Sequence, residues 1–313
     1  MERQVLNHEA SGPETALPDD YVEYAGLRSN LKKEGWTLIG AARLAAVFGA
    51  TIPLISIQAL MVRFSRKNWW HFAGLWHRTM CRVLGLEVHL TGLEHQDTAT
   101  LYAANHISWT DIVVLGGFIP NASFVAKSEV AGWGILGKLC ALHKTEFVKR
   151  GRRTDSARQR DYLAERIKDG DSLILFPEGT NTAGIRLAPF KSALFSVAEH
   201  VADHLDEPMR VQPITIAYTE VNGIPLVRSQ KPWIAWLGEV ELFEHLQQLL
   251  NRGRIKATVE FHEPITLDDA NCRKTLAKYC ADEISKGLER AHRAEFRLGT
   301  PERIEQPATD GET

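Results

Sequence analysis

A histidine and an aspartate five residues apart, His106 and Asp111, follow a short apolar run from Leu101 to Ala104. Imidazole titrates near neutrality, so His106 can take a proton from a hydroxyl. A carboxylate that accepts the other ring N–H fixes the tautomer and stabilises the imidazolium as it forms. Further on, an apolar run from Ser172 to Phe176 delivers a carboxylate, a glycine and a hydroxyl in Phe176-Pro177-Glu178-Gly179-Thr180. Glycine at a strand turn lets backbone N–H groups approach a ligand closely. A base for a hydroxyl proton, with donors for a developing oxyanion, is what acyl transfer from a thioester to an alcohol requires. Local readings stand beside these. Ser108 can cap the following helix with Asp111 completing a capping box, and Glu178 can sit in a plain strand-to-loop turn, paired with a surface base.

Together, Asn105-His106-Ile107-Ser108-Trp109-Thr110-Asp111 and Phe176-Pro177-Glu178-Gly179-Thr180 resemble the paired signature of the glycerolipid acyltransferases, lysophosphatidic-acid acyltransferase type. The resemblance runs from about Leu86 to Ile265. It implies His106 as base, Asp111 as its orienting partner, and Glu178, Gly179 and Thr180 as substrate-binding residues. Lys144-Thr145-Glu146-Phe147-Val148-Lys149-Arg150 resembles a second block of the family, which implies that Lys144 and Arg150 bind the acceptor's polar head. Val211-Gln212-Pro213-Ile214 resembles a fourth block, which lines the acyl-binding region. One position departs from the pattern. Where the phosphatidic-acid-forming enzymes carry Arg after Glu-Gly-Thr, this chain has Asn181, and a base follows only at Arg186. That arrangement is similar to the bacterial lyso-ornithine-lipid acyltransferases, whose acceptor has no phosphate.

The resemblance implies a membrane-bound O-acyltransferase that moves a fatty acyl group from acyl carrier protein or acyl-CoA to a lyso-lipid hydroxyl. Acylation of 1-acylglycerol-3-phosphate to phosphatidic acid is the first expectation, as the commoner activity. Lyso-ornithine lipid is the alternative acceptor, and a hydrolase or thioesterase with His106 activating water is a third reading. No metal or bound cofactor is expected beyond the thioester co-substrate. The expected place is a bacterial inner membrane, with the active site facing the cytoplasm.

The rest of the chain must hold these residues. Residues 1–34 read as a polar tail, 35–85 as a membrane anchor, 86–298 as the acyltransferase domain and 299–313 as a second polar tail. Leu44 to Val62 is 19 residues without a charge, about the length a ~30 Å hydrocarbon core asks of a helix. Pro53 inside it allows a kink, a break into two half-helices or a straight span. Asn68 to Val88 mixes Trp69, Trp70, Phe72 and Trp76 with basic residues, which suits the headgroup zone of a bilayer or a helical hairpin buried on the domain. Beyond residue 86, short apolar runs alternate with amphipathic stretches. This predicts an α/β fold, a mixed central sheet flanked by helices. A last helix is expected from Thr266, capped by Asp269, with Leu276, Cys280, Ile284 and Leu288 on one face.

Composition limits the alternatives. The net charge of -2 and 44% hydrophobic content describe a globular chain and not a nucleic-acid binder. Four cysteines without paired spacing fit a reducing compartment. Gly132-Trp133-Gly134-Ile135-Leu136-Gly137 matches a dinucleotide pattern, but no strand abuts it and Trp133 is bulky for a pyrophosphate loop. His71, His77, His95 and His143 show no ligand spacing.

Overall fold

The computed structural model describes residues 35–64, 69–94, 98–148, 153–202, 209–237 and 240–293, with the side chains of 153–160 and 200–202 excepted. Arg150 and both polar tails lie outside the described residues. The strands are β1 (Leu86–Thr91), β2 (Thr100–Ala104), β3 (Ala122–Lys127), β4 (Glu146–Val148), β5 (Ser172–Leu175), β6 (Arg210–Val221), β7 (Ile224–Pro225), β8 (Ile255–Phe261) and β9 (Ile265–Thr266). Their order is β1-β8-β6-β2-β5-β3-β4, with β7 and β9 pairing the ends of β6. β6 runs antiparallel to β8, whereas β2, β3, β4, β5 and β6 pair in parallel, so the sheet is mixed as expected.

Alternation along the strands sends successive side chains to opposite faces. On β6, Ile214, Ile216 and Tyr218 join one core, and Val211 and Ala217 pack on the other side. The first core is closed by α2 (Trp69–Leu84), α3 (Thr110–Phe118) and α7 (Leu242–Asn251), through residues such as Met80, Val114 and Leu249. The second is closed by α5 (Arg153–Lys168), α6 (Ser196–Ala202) and α9 (Arg273–His292), through Ile167, Ala198 and Cys280. Covered on both faces, β2 buries all five of its residues, which is why it reads as an unbroken apolar run. Because β2, β5, β3 and β4 are parallel, the residues that follow them emerge at one edge, where open α/β sheets bind ligands.

α1 (Leu38–Phe64) is continuous through Pro53, and only Gly40, Thr51 and Gln58 of it are buried. It is long and apolar enough to cross a membrane. α2 behaves differently from the expected headgroup segment. Trp69 is fully buried, Trp76 Nε1 donates to Thr51 Oγ1 at 3.0 Å, and Met80, Cys81 and Leu84 enter the first core. Its apolar side packs on α3, so the core begins upstream of the boundary expected at residue 86.

The last helix also differs from its expectation. The Thr266–Asp269 capping box forms, yet it starts only the four-residue α8 (Leu267–Ala270). Asn271 then adopts a left-handed φ of 64°, which asparagine tolerates, and α9 begins afresh at Arg273. Its stripe of Leu276, Cys280, Ile284 and Leu288 is buried as anticipated. Gly287 lets α9 settle on β6. A Cβ there would lie 2.2 Å from Thr215 Oγ1, which is already held by His262 Nε2 at 2.7 Å and Ile284 C=O at 3.2 Å. Gly287→Ala should therefore destabilise the fold by about 1–3 kcal/mol, the usual range for overpacking. An unshifted denaturation midpoint in the purified variant would show that this contact has slack.

Candidate active site

Asn105 ends β2 by replacing backbone with side chain. Its Nδ2 donates to Ile216 C=O at 2.9 Å and its Oδ1 accepts Ile216 N–H at 2.8 Å, which extends the β2–β6 ladder one step. The chain then leaves the sheet with His106 held at both ends of its peptide. His106 N–H donates to Glu178 Oε1 at 2.8 Å, and its C=O accepts Thr182 N–H at 2.8 Å. The ring stacks on Phe176, centroids 4.1 Å apart and planes 16° apart. Nδ1 lies 2.7 Å from Asp111 Oδ2. An ionised carboxylate only accepts, so Nδ1 carries the proton and Nε2 is left as the basic nitrogen.

Asp111 is fully buried. Its Oδ2 also accepts Ile107 N–H at 2.6 Å and Ser108 N–H at 2.9 Å, and its Oδ1 accepts Tyr218 O–H at 2.8 Å. Thr110 Oγ1 in turn lies 2.6 Å from the Tyr218 hydroxyl oxygen. Burial, with the Asp111 charge beside it, raises the Tyr218 phenol well above its ordinary range and keeps it a donor. Half of the anticipated capping box is therefore present. Asp111 receives Ser108 N–H, but the Ser108 hydroxyl makes no cap, and Trp109 occupies the cap position of α3. Tyr218 was invisible to local sequence reading, since it arrives from β6 across more than a hundred residues.

His106 lines a cavity of about 640 Å³, within the ordinary size of ligand sites. Apolar walls come from Leu54 and Ile55 of α1, Phe72 and Trp76 of α2, and Leu136 and Leu139 of α4 (Ile135–Leu142). Gly179, Thr180 and Asn181 also line it, as do Lys127 and Glu129 just after β3. Gly179 has a φ of 67°, a turn that folds Glu178 inward instead of towards this space.

Several expectations change here. Glu178 is 1% exposed, and its oxygens accept the N–H groups of His106 and Ala188, the latter at 2.7 Å. It is a buried brace under His106 and not a residue on the cavity wall. Burial pushes its carboxyl up to about 8, with the Asp111 charge adding to this and the two backbone donors opposing it. Lys144, at a left-handed φ of 53°, rests its ammonium over the Trp69 ring at 4.7 Å and does not reach the cavity. Arg186 is exposed and away from it. Asn181 Nδ2 donates to Trp236 C=O at 2.9 Å, so the residue in place of arginine ties two loops together. None of Val211 to Ile214 lines the cavity, and Gln212 is held by Leu93 and His262 carbonyls.

Two histidines without ligand spacing meet deeper in the same cavity. His77 Nε2 and His143 Nδ1 are 3.2 Å apart, with Trp69, Trp76 and Phe124 around them. Burial lowers both imidazoles, His143 to about 4; His143 depresses His77 further, and Arg166 lies beside His143. A histidine with a depressed folded pKa stabilises the fold above its unfolded value near 6.5 and loses that contribution as pH falls through the folded value. Melting temperature should accordingly drop from pH 6.5 towards pH 4, with a shallower slope in His143→Gln. Equal slopes for the two proteins would remove the pair from the acid response.

The comparisons with known proteins agree with this geometry. The family model described as Acyltransferase matches residues 86–217. A Brucella abortus protein named lyso-ornithine lipid O-acyltransferase is 36% identical over 261 residues, covering 81% of this chain and 97% of that one. The 1-acyl-sn-glycerol-3-phosphate acyltransferase of Neisseria gonorrhoeae is 34% identical over 178 residues, covering 57% of this chain and 64% of its own. The crystal structure of the 1-acyl-sn-glycerophosphate acyltransferase of Thermotoga maritima shares the fold, with a TM-score of 0.57 at 20% identity over 82% of this chain and 95% of that one. With a relative matched almost end to end and a family model lying over both signature blocks, this chain belongs to the acyltransferase family and is an acyltransferase of the lysophospholipid type.

Proposed function

We propose that this acyltransferase works at a membrane, moving a fatty acyl group from a thioester of acyl carrier protein or CoA to the free hydroxyl of lyso-ornithine lipid. The observation that carries the reading is the His106–Asp111 pair at the wall of a large apolar cavity. In this reading His106 Nε2 takes the hydroxyl proton as the oxygen attacks the thioester carbonyl. The tetrahedral intermediate collapses, the carbon–sulfur bond breaks, and the leaving sulfur takes the proton back from the imidazolium. Asp111 remains an anion throughout, and no metal or bound cofactor enters. The apolar walls receive the acyl chain.

Lyso-ornithine lipid replaces the phosphate acceptor as the favoured substrate for two reasons. The relative of that name is spanned almost completely, while the glycerol-phosphate relative is spanned over 64% of its length. In addition, the position expected to hold an arginine for phosphate is Asn181, whose amide is engaged by Trp236. Acylation of 1-acylglycerol-3-phosphate is the second reading, supported by Lys127 on the cavity wall. Membrane attachment is supported by α1, where Leu38, Ile39, Ile52, Leu60 and Phe64 are each more than half exposed.

His106→Ala should lower kcat by ~10²–10⁴-fold, the range for loss of a general base, and Asp111→Asn should be comparably severe through the wrong tautomer. Tyr218→Phe removes one donor from the carboxylate and should cost about tenfold, as one charged hydrogen bond is worth ~1.5–3 kcal/mol. A folded His106→Ala protein with wild-type turnover would falsify the mechanism. Mass spectrometry of products from purified enzyme, given lyso-ornithine lipid and lysophosphatidic acid in turn, decides the acceptor; release of free fatty acid without any acceptor would point to hydrolysis instead. High-salt washing should leave the protein with the membrane fraction, because salt screens charge but does not weaken apolar burial. Clean release by salt alone would count against attachment through α1.

A further inference from the structure

The cavity is apolar except at one edge, and the charges there have an unexpected composition. Among the described residues that line it, imidazoles aside, Lys127 and Glu129 are the two with formal charges, one of each sign. Both are exposed, and Ser128 Oγ donates to Glu129 Oε2 at 3.3 Å. Lys127 is the last residue of β3, and Glu129 opens the 3-10 turn Ser128–Gly132. β3 neighbours β5, whose following turn carries Thr180 and Asn181, and β5 neighbours β2, which delivers His106. Two strand spacings, about 10 Å, therefore separate the charged pair from the strand that carries the base. Beyond Glu129, Trp133 roofs this end against Trp236, ring centroids 5.9 Å apart.

We infer that Lys127 and Glu129 form a headgroup clamp for a zwitterionic lyso-lipid, Lys127 receiving its carboxylate and Glu129 its ammonium. This rests on the acceptor reading above and adds the residue that selects for it. A glycerol phosphate would satisfy Lys127 but bring a second negative charge against Glu129. An ornithine headgroup offers one charge to each. Lys127 serves either anion, so Glu129 is the discriminating member.

The test is a competition assay on the full-length enzyme in detergent, with lyso-ornithine lipid and lysophosphatidic acid supplied together. Glu129→Gln should lower the ratio of kcat/KM for lyso-ornithine lipid to that for lysophosphatidic acid about three- to tenfold, as expected for one charged contact at a partly exposed site. Glu129→Lys should lower it further. An acceptor whose side chain ends in methyl, keeping the carboxylate but lacking the amine, should be used equally well by wild type and Glu129→Gln, which closes a cycle on the amine contact. A ratio that Glu129→Gln leaves unmoved, or an equal effect with the amine-free acceptor, overturns the clamp while the acceptor reading stands. Wild-type enzyme that acylates lysophosphatidic acid alone overturns both, and is recognised before any variant is made.

Discussion

A carboxylate sealed from water must find all its donors inside the protein, and Asp111 finds four. Two are backbone N–H groups of its own loop, one is the His106 ring, and one is the Tyr218 hydroxyl from β6. An unpaired buried anion would be far more expensive than any of these bonds is favourable. The loop from Asn105 to Thr110, the start of α3 and the far end of β6 are thus fixed relative to one another by a single group. The sheet responds locally as well, since β6 carries a register irregularity between Tyr218 and Glu220, immediately after the tyrosine. Bulges of this kind commonly re-aim side chains next to functional sites.

The turn after β5 serves that same group from below. Glu178, Thr182 and Ala188 knit the segment after β5 to the peptide of His106, and Asn181 and Trp236 attach a further loop to it. Two signature blocks distant in sequence are therefore one hydrogen-bonded unit, in which the glutamate supports the histidine's backbone and leaves the cavity wall to Gly179, Thr180 and Asn181. In the proposed reaction, rigidity here matters because a base must stay within hydrogen-bond reach of the proton it removes.

The helices before the sheet finish the cavity. α2 gives one side to the core and another to the cavity, and α1 contributes Leu54, Ile55 and Gln58 while most of its surface faces outward. An apolar helix that is exposed outside and lines a lipid-sized space inside connects the two environments an acyl chain would move between. The same helices bury two neutral histidines deep in the cavity, so its polarity is not uniform.

The sequence by itself determined the chemistry-bearing pair, the alternation of the fold and most strand positions, because each depends on short spacings and period-two or period-3.6 patterns. His106 and Asp111 are five residues apart, so one loop brings them together. The apolar stripe of α9 and the uncharged run of α1 are legible for the same reason. What decided the remainder was contact between strands far apart in the chain. Glu178 looked like a ligand group because its turn is at the right edge of the sheet, but the left-handed Gly179 bends it inward to His106 and Ala188. Lys144 and Arg186 have the right charge and the wrong location, while Lys127 and Glu129, which no motif marked, line the cavity because β3 lies beside β5. Asn105, Tyr218 and the His77–His143 pair likewise acquire partners only through strand order and helix packing. Residue type and spacing define what a group can do; the register of the sheet defines what it faces.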